Sequence, residues 1–277
     1  MCTLTPSPPQ GMLSPAGSSV NGRDSNRKPT NIYSTGNHSV MVFTRPSTLP
    51  LPTVHRRFSA ARGGATTGFR VQDLTPELRA PALELLRTYF TRDEPPCKYI
   101  GINNHPSAVA ELSKLWSDTM REDLSLVCLT DEEEPRVVGV NVLKVLCRED
   151  GEEPFHTEDK IWAQLFGAVD LVSKAVDIFS HYKVDKYLTA YGLVVDPKWR
   201  GMNIGKEILL ARIPLCKALG VPVTATVFTA SASQAVAKKA GFEDLYEITY
   251  EELAKRGFCF PGIEQDTKSS KLMAMVI

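Results

Sequence analysis

The stretch VVDPKWRGMNIGKEILL, residues 194–210, decides the fold more than any other part of the chain. An apolar, strand-like run ends at Asp196 and Pro197, a short basic loop follows, and apolar residues then return with helical spacing. This order predicts a strand, a tight turn and a helix start. The first N–H groups of a helix lack partners within it and lie at the positive end of its dipole. We therefore predict a turn that binds an anion of diphosphate size.

Two other nucleotide-binding turns fit this loop poorly. A P-loop places four residues between its glycines, whereas only three residues lie between Gly201 and Gly205. It also needs Ser or Thr after its lysine, and here Glu207 follows Lys206. A dinucleotide-binding turn requires a different glycine spacing near the start of a βαβ unit. An ordinary strand-to-helix turn with incidental charge remains the alternative.

The loop resembles motif A of the GCN5-related N-acetyltransferases (GNAT superfamily), whose pattern Arg/Gln-x-x-Gly-x-Gly/Ala binds the pyrophosphate of acetyl-CoA. Arg200, Ile204 and Gly205 match the pattern, and Asn203 replaces its central glycine. Asn is one of the few residues that tolerate a positive φ angle, so the turn can still form. The resemblance implies acetyl-CoA as cosubstrate. The cofactor-binding residues that it implies are Leu193, Val194, Val195, Arg200, Gly201, Met202, Asn203, Ile204, Gly205 and Lys206.

The charge of the chain is unevenly distributed although its net value is zero. Residues 1–70 carry eight basic side chains and one acidic one, which leaves 24 basic and 31 acidic side chains for the rest. Up to about residue 66 the sequence is rich in Ser, Pro and Gly and has no apolar periodicity, so it is predicted to be a disordered basic tail. Residues 67–277 form the predicted domain. A transit peptide is the alternative for the tail, although its first 20 residues contain four prolines and no Arg or Lys.

Composition also excludes several classes of function. The six cysteines and five histidines are scattered without metal-ligand spacing, so neither a metal site nor a disulfide framework is expected. There is no secretory signal and no apolar run long enough to span a bilayer, which favours a cytoplasmic protein that does not bind membranes. The acidic balance beyond residue 70 suits a cationic substrate and argues against nucleic acid. A monomer is the default expectation.

Beyond residue 67 the sequence predicts a mixed α/β fold. Strands are predicted at residues 67–72, 124–129, 135–146, 187–195, 223–228, 243–249 and 271–277. Helices are predicted from residue 75 and at 106–121, 157–182, 204–219 and 231–239, and a loop at 92–105. The GNAT resemblance implies a central, mostly antiparallel twisted sheet flanked by helices. In that fold two parallel strands, here 187–195 and 223–228, splay apart to admit the pantetheine arm.

Three further stretches resemble the arthropod-type arylalkylamine N-acetyltransferases, which include dopamine N-acetyltransferase. The first is FTRDEP at 90–95, the second is FTASASQ at 228–234 followed by AGF at 240–242, and the third is FPGI at 260–263 followed by KSSKLM at 268–273. The resemblance implies an acetyl-CoA-dependent transfer to the primary amine of a small arylalkylamine of the dopamine, serotonin, tryptamine or tyramine type. Direct transfer in a ternary complex is implied. Another amine (polyamine, protein or amino acid) and a non-catalytic acyl-CoA-binding module are the alternatives.

The implied catalytic base is Glu94. An alkylamine is a cation near neutral pH and must lose a proton before it attacks a thioester, so a nearby carboxylate can both attract it and accept the proton. Without the resemblance, Asp93 and Glu94 would be interpreted as a solvated turn before Pro95. A backbone N–H near Val194 or Val195 is the implied donor to the oxyanion.

A second residue can protonate the leaving thiolate of CoA. Many GNAT enzymes use a tyrosine at the position of Ala237, and this chain has none there. The arylalkylamine branch instead implies a pair of hydroxyls, here Thr229 and Ser233. Either Ser231 or Ser233 could equally be an ordinary helix N-cap, and for Ser231 that role is the prediction. Candidate walls of an aromatic substrate pocket, each of which could instead be core, are Tyr89, Phe90, Tyr99, Trp162, Phe166 and Tyr191.

Overall fold

The computed structural model describes residues 43–151 and 156–277. Within these residues, eight strands form one sheet in the spatial order β1-β2-β3-β4-β5-β6-β8-β7. The strands are β1 Val54–Arg62, β2 Ala65–Asp73, β3 Leu126–Thr130, β4 Val137–Cys147, β5 Lys186–Val195, β6 Val223–Phe228, β7 Glu243–Thr249 and β8 Ser269–Val276. Neighbouring strands are antiparallel except β5 and β6, which are parallel.

The parallel pair is joined at one point. Leu188 of β5 pairs with Thr224 of β6, and no other register pair links the two strands among the described residues. On its other side β5 pairs with β4 along almost its whole length, from Lys186 to Val195. The edge of β5 that faces β6 is therefore open beyond Leu188. This confirms the predicted splayed pair and the mixed, mostly antiparallel GNAT fold.

Helices cover both faces of this sheet. They are α1 Arg79–Leu85, α2 Thr91–Asp93, α3 Pro95–Ile100, α4 Pro106–Met120, α5 Lys160–Ser173, α6 Ile178–Tyr182, α7 Ile204–Leu219, α8 Ser231–Ala240 and α9 Tyr250–Lys255. A π-helical turn, Leu86–Phe90, joins α1 to α2. Single 3-10 turns lie at Pro76–Leu78, Ile102–Asn104, Arg148–Asp150, Pro197–Trp199 and Ile263–Gln265.

Apolar side chains fill the space on each face. Successive strand residues point to opposite faces, so Val127 packs with α1, α4 and α5 whereas its neighbours Leu126 and Cys128 pack with α7. A smaller cluster joins α8 to β8. Because the sheet is buried on both faces, the sequence of a strand such as β3 is a nearly continuous apolar run. The fold holds the β5–β6 opening between these layers.

The structure corrects the predicted boundary at residue 66. Strand β1 lies inside the predicted tail and pairs with β2 from Val54 to Arg62. Its residues show no regular alternation of buried and exposed positions, because it is a largely exposed edge strand, so the apolar pattern gave no signal. Residues 1–42 of the predicted tail lie outside the described residues.

Two other predictions need correction. The helix predicted at 157–182 is two helices, α5 and α6, because the Asp177 side chain accepts a hydrogen bond from the N–H of Ser180 and caps a new helix. The predicted loop at 92–105 contains α3, which the Glu94 side chain caps. Pro214 lies inside α7, which runs unbroken from Ile204 to Leu219. In the described residues, no helix is both long and apolar enough to cross a membrane.

Candidate active site

The loop between β5 and α7 has the backbone shape that an anion-binding turn needs. Gly201 has φ +84° and Asn203 has φ +59°, and α7 begins directly after Asn203. The Asn203 side chain makes no capping hydrogen bond to the helix, so it leaves the first N–H groups of α7 uncovered. The asparagine that replaces the motif's glycine thus adopts the positive φ angle expected of it.

The same loop leaves room for a ligand. A Cβ at Gly205 would lie 3.7 Å from Val236 Cγ1 and 4.0 Å from Val195 Cγ2, which are ordinary contacts, so internal packing alone does not require glycine there. Met202 and Ile204 are buried in the core, and only their backbone can face a ligand. Lys206 makes no ion pair with any described residue. These features fit a diphosphate.

The open edge of β5 offers backbone donors. Asp196 donates its N–H to Val138 O of β4 at 2.9 Å. Because N–H groups in a strand alternate in direction, Val194 also faces β4, whereas Leu193 and Val195 face the opening toward β6. Of the two candidate oxyanion donors, Val195 therefore has the suitable direction. The N–H of Val194 is directed into the ladder with β4, where Val194 pairs with Val140.

Glu94 is held in one orientation by two donors. Its Oε2 accepts from the N–H of Cys97 at 2.8 Å, as the N-cap of α3, and its Oε1 accepts from Thr229 Oγ1 at 2.5 Å. The carboxylate is partly buried. Burial raises the pKa of Glu94 above its ordinary value, and the hydrogen bonds from Thr229 and Cys97 offset part of that rise. A raised pKa suits a base that works near neutral pH.

Thr229 and Ser233, the predicted hydroxyl pair, have different surroundings. Thr229 contacts Glu94, and its carbonyl accepts from Tyr250 Oη at 2.7 Å. Ser233 Oγ instead donates to Ala230 O at 2.8 Å, within the first turn of α8. The structure therefore brings only Thr229 into contact with Glu94.

The predicted cap at Ser231 is wrong. The N-cap of α8 is Ala230, which has no side chain that could accept a hydrogen bond. Ser231 is the first residue of the helix, and its hydroxyl donates to Thr267 Oγ1 at 3.0 Å. This contact joins the start of α8 to the segment that precedes β8.

An ion pair joins the base segment to the phosphate loop. Arg200 Nη2 lies 2.6 Å from Asp93 Oδ2, and Arg200 Nε donates to Val195 O at 3.1 Å. Asp93 also pairs with Arg92. Hydrogen bonds from Arg92, the larger contribution, and from Arg200 hold the pKa of Asp93 below its ordinary value. The residue next to Glu94 is thus tied to motif A.

The candidate pocket aromatics lie on the face of the sheet opposite α7. All six pack against the large apolar cluster around α1, α4 and α5. Phe90 contacts Trp116 edge to face with ring centroids 5.3 Å apart, and Trp116 Nε1 donates to Tyr191 O at 2.9 Å. Trp162 and Phe166 are paired with centroids 5.2 Å apart. Contacts of this kind occur both in an apolar core and in the wall of a substrate pocket.

The three stretches that resemble the arylalkylamine branch meet in the structure. Thr229 of the second contacts Glu94 of the first, and Gln234 of the second donates to Ser269 O of the third at 2.8 Å. Sequence reasoning missed Tyr250, although the capping pattern of Thr249 and Glu252 marks a helix start there. It also missed Cys97, whose thiol contacts Glu94, because Cys97 belongs to no recognised sequence motif.

A splayed β5–β6 pair beside a motif A turn defines the class of GNAT-fold proteins, and comparison with solved structures agrees. The arylalkylamine N-acetyltransferase 7 of the yellow fever mosquito Aedes aegypti, as that protein is described, is 37% identical with a TM-score of 0.80, covering 84% of this chain and 98% of its own. Arylalkylamine N-acetyltransferase 2 of the same mosquito is 21% identical with a TM-score of 0.65, covering 76% and 99%. A Drosophila melanogaster polyamine N-acetyltransferase is 14% identical with a TM-score of 0.59, covering 76% and 100%.

No family model matches the chain, and the comparison with curated proteins gave no match. The two more distant structures agree with the fold alone. The first relative matches at 37% identity over nearly its whole length. The chain belongs to the GNAT superfamily, in its arthropod-type arylalkylamine N-acetyltransferase family.

Proposed function

We propose that this protein transfers the acetyl group of acetyl-CoA to the primary amine of small arylalkylamines by direct transfer in a ternary complex. One observation carries the proposal: a partly buried carboxylate with a raised pKa, Glu94, is tied through Asp93 and Arg200 to the turn that opens beside β5. Acetyl-CoA supplies an activated thioester when bound. The chain supplies the site for its phosphates and the base for the amine.

Each residue has a defined task in this proposal. The N–H groups at the start of α7, with Arg200 and Lys206, hold the diphosphate. The N–H of Val195 faces the opening and can donate to the thioester carbonyl oxygen. Glu94 attracts the ammonium group of the amine and accepts its proton, and Thr229 keeps the carboxylate in place. Aromatic side chains near Tyr191 and Phe90 would hold the ring of the amine.

A steady-state assay of CoA release tests the proposal. Dopamine, tryptamine, spermidine and agmatine are compared with wild type and with Glu94→Gln, and acetyl-CoA binding is measured in parallel by calorimetry. We expect aromatic amines to have the highest kcat/KM, and Glu94→Gln to lower it about 100-fold or more while acetyl-CoA still binds.

Other outcomes would contradict it. Higher kcat/KM for spermidine or agmatine would contradict the aromatic substrate class, and would favour a polyamine substrate. Acetyl-CoA binding without turnover of any amine would contradict the enzyme and leave an acyl-CoA-binding module. Full activity of Glu94→Gln would contradict the assigned base.

A further inference from the structure

A buried tyrosine contacts the backbone of the residue that holds Glu94. Tyr250 is the first residue of α9 and is 4% exposed. Its Oη donates a hydrogen bond to Thr229 O at 2.7 Å. The hydroxyl of Thr229 in turn donates to Glu94 Oε1. Thr229 is therefore held at its carbonyl by Tyr250, while its side chain holds the carboxylate.

Thr229 lies where the sheet no longer fixes the chain. The ladder between β6 and β8 ends at the pair of Phe228 with Lys271, one residue before Thr229. Helix α8 begins only at Ser231, after the N-cap Ala230. Because a partly buried carbonyl outside a ladder needs another donor, the Tyr250 hydroxyl takes the place of a strand neighbour. The orientation of Thr229 thus depends on a side chain.

Tyr250 is itself firmly placed. The side chains of Thr249 and Glu252 form a capping box that fixes the start of α9. The N–H of Tyr250 donates to Lys268 O at 3.0 Å. Its ring meets that of Phe260 edge to face, with centroids 5.9 Å apart. Because the ring is packed in this way, its hydroxyl oxygen has one position relative to the end of β6.

The phenol is not suited to transfer a proton itself. Among the described residues, the titratable groups that face Glu94 are the Cys97 thiol on α3 and the Tyr250 phenol on α9. Burial, and then the nearby Glu94 carboxylate, raise the pKa of each group above its ordinary value. Both groups are therefore neutral near pH 7. The hydroxyl hydrogen of Tyr250 is already directed at Thr229 O.

We propose that Tyr250 is a positioning residue of the transfer reaction, because its hydroxyl fixes Thr229 in the orientation that donates to Glu94. The inference rests on the proposed function, since it assigns Tyr250 to the base of that reaction. Tyr250 acts only through Thr229 and needs no contact with the amine or with acetyl-CoA. The ring belongs to the apolar core, so the positioning role lies in the hydroxyl alone.

The pH profile of kcat/KM tests this role in wild type, Tyr250→Phe, Thr229→Val and the double variant. Tyr250→Phe keeps the ring and removes the donor. We expect kcat to fall about 3- to 10-fold and the acidic limb to move to higher pH, because a less fixed Thr229 stabilises charged Glu94 less. KM for acetyl-CoA should change less than about twofold. The double variant should match Thr229→Val, since both changes remove the same contact.

Tyr246→Phe is the matched control. Tyr246 lies on β7, and its ring packs against the same apolar cluster as Tyr250. Loss of its hydroxyl should leave kcat and the pH profile unchanged. An unchanged profile in Tyr250→Phe would overturn the proposal. Additive effects in the double variant would also overturn it, because they would show that Tyr250 does not act through Thr229.

A second measurement is independent of turnover. The pKa of Glu94 is followed by ¹³C NMR of glutamate-labelled protein, its signal being identified by its loss in Glu94→Gln. This pKa should rise in Tyr250→Phe and stay in place in Tyr246→Phe; no rise would overturn the role of Tyr250. A rise in a protein that acetylates no amine would contradict only the proposed function.

Incorporation of 4-aminophenylalanine or 4-fluorophenylalanine at position 250 replaces Tyr250→Phe should that variant not fold. The first analogue retains a donor and should keep the wild-type profile. The second analogue has none and should show the shift. Equal profiles for the two analogues would overturn the proposal.

Discussion

Arg200 Nη2 and Asp93 Oδ2 are 2.6 Å apart, and this pair connects the turn at the start of α7 to the residue before Glu94. The two residues are 107 positions apart in the sequence. Both side chains are partly exposed, at 46% and 27%, so the pair contributes at most about 1 kcal/mol to stability. Its importance is therefore positional: it fixes the base relative to the phosphate loop.

Asp93→Asn should separate the positioning of the base from the binding of the cofactor. We expect kcat to fall about 3- to 10-fold because the Glu94 segment loses an anchor, while KM for acetyl-CoA does not rise, since a negative charge near the phosphate loop is removed. Arg92→Gln is the matched control, because it removes the other partner of Asp93 without altering the loop. A raised KM with unchanged kcat in Asp93→Asn would contradict this role.

Thr229→Val should shift the pH profile of kcat/KM. The Thr229 hydroxyl stabilises the charged form of Glu94 and so lowers its pKa; removing that donor raises the pKa further. Because the base must be deprotonated, we expect the acidic limb of the profile to move to higher pH. Thr229→Ser should leave the acidic limb of the profile in place. Ser233→Ala should also leave it in place, because the Ser233 hydroxyl of the wild type donates to Ala230 O. A similar shift in Ser233→Ala would show that the contact with Glu94 is not the cause.

Substitutions at Asn203 should follow its backbone angle. With φ +59° and no capping hydrogen bond from its side chain, the residue contributes mainly through its backbone. We expect Asn203→Gly to be as stable as wild type, and Asn203→Ala to lose about 1 kcal/mol in urea unfolding and to bind acetyl-CoA more weakly. Equal stability and affinity of the two variants would mean that the positive φ angle does not matter.

Asp73→Asn should destabilise the fold by about 3–5 kcal/mol, because it leaves a nearly buried cation, Arg45, without its counter-charge. Asp73 also contacts His55 Nε2 at 2.7 Å and the N–H of Thr53 at 2.7 Å. Burial raises the pKa of Asp73, but these partners outweigh it and hold the pKa below the ordinary 3.8. The stabilisation is therefore present at neutral pH and is lost as the pH falls below about 3.8.

Urea unfolding at pH 7 and at pH 3 measures this effect. The control is Asp131→Asn, which removes a surface carboxylate paired with Arg57 and Arg70 and should cost less than about 1 kcal/mol. All three partners of Asp73 lie in the segment predicted to be a tail. Equal stability of the two variants would mean that this segment adds little to the fold.

The sequence predicted those elements whose signals are local. The strand, turn and helix at 194–210 follow from apolar periodicity and turn residues, and β3, β4 and β6 from apolar runs. Strand β1 was missed because an exposed edge strand acquires its structure from pairing with β2 and not from its own pattern. The break between α5 and α6 was missed because helical spacing continues across it and only the cap at Asp177 marks it.

The sequence by itself determined the turn that suits a diphosphate, because its signal lies in residues close together in the chain. Short stretches that resemble known enzymes gave the family, and the family in turn implied the parallel strands that separate. Only the tertiary structure decided that Thr229 contacts Glu94 across 135 positions, that Ser233 donates to Ala230 O instead, and that the buried Arg212 has neutral hydrogen-bond partners among the described residues. Burial and hydrogen bonding between distant residues set these relationships. No spacing along the chain encodes them, because they arise only when the sheet brings its strands side by side.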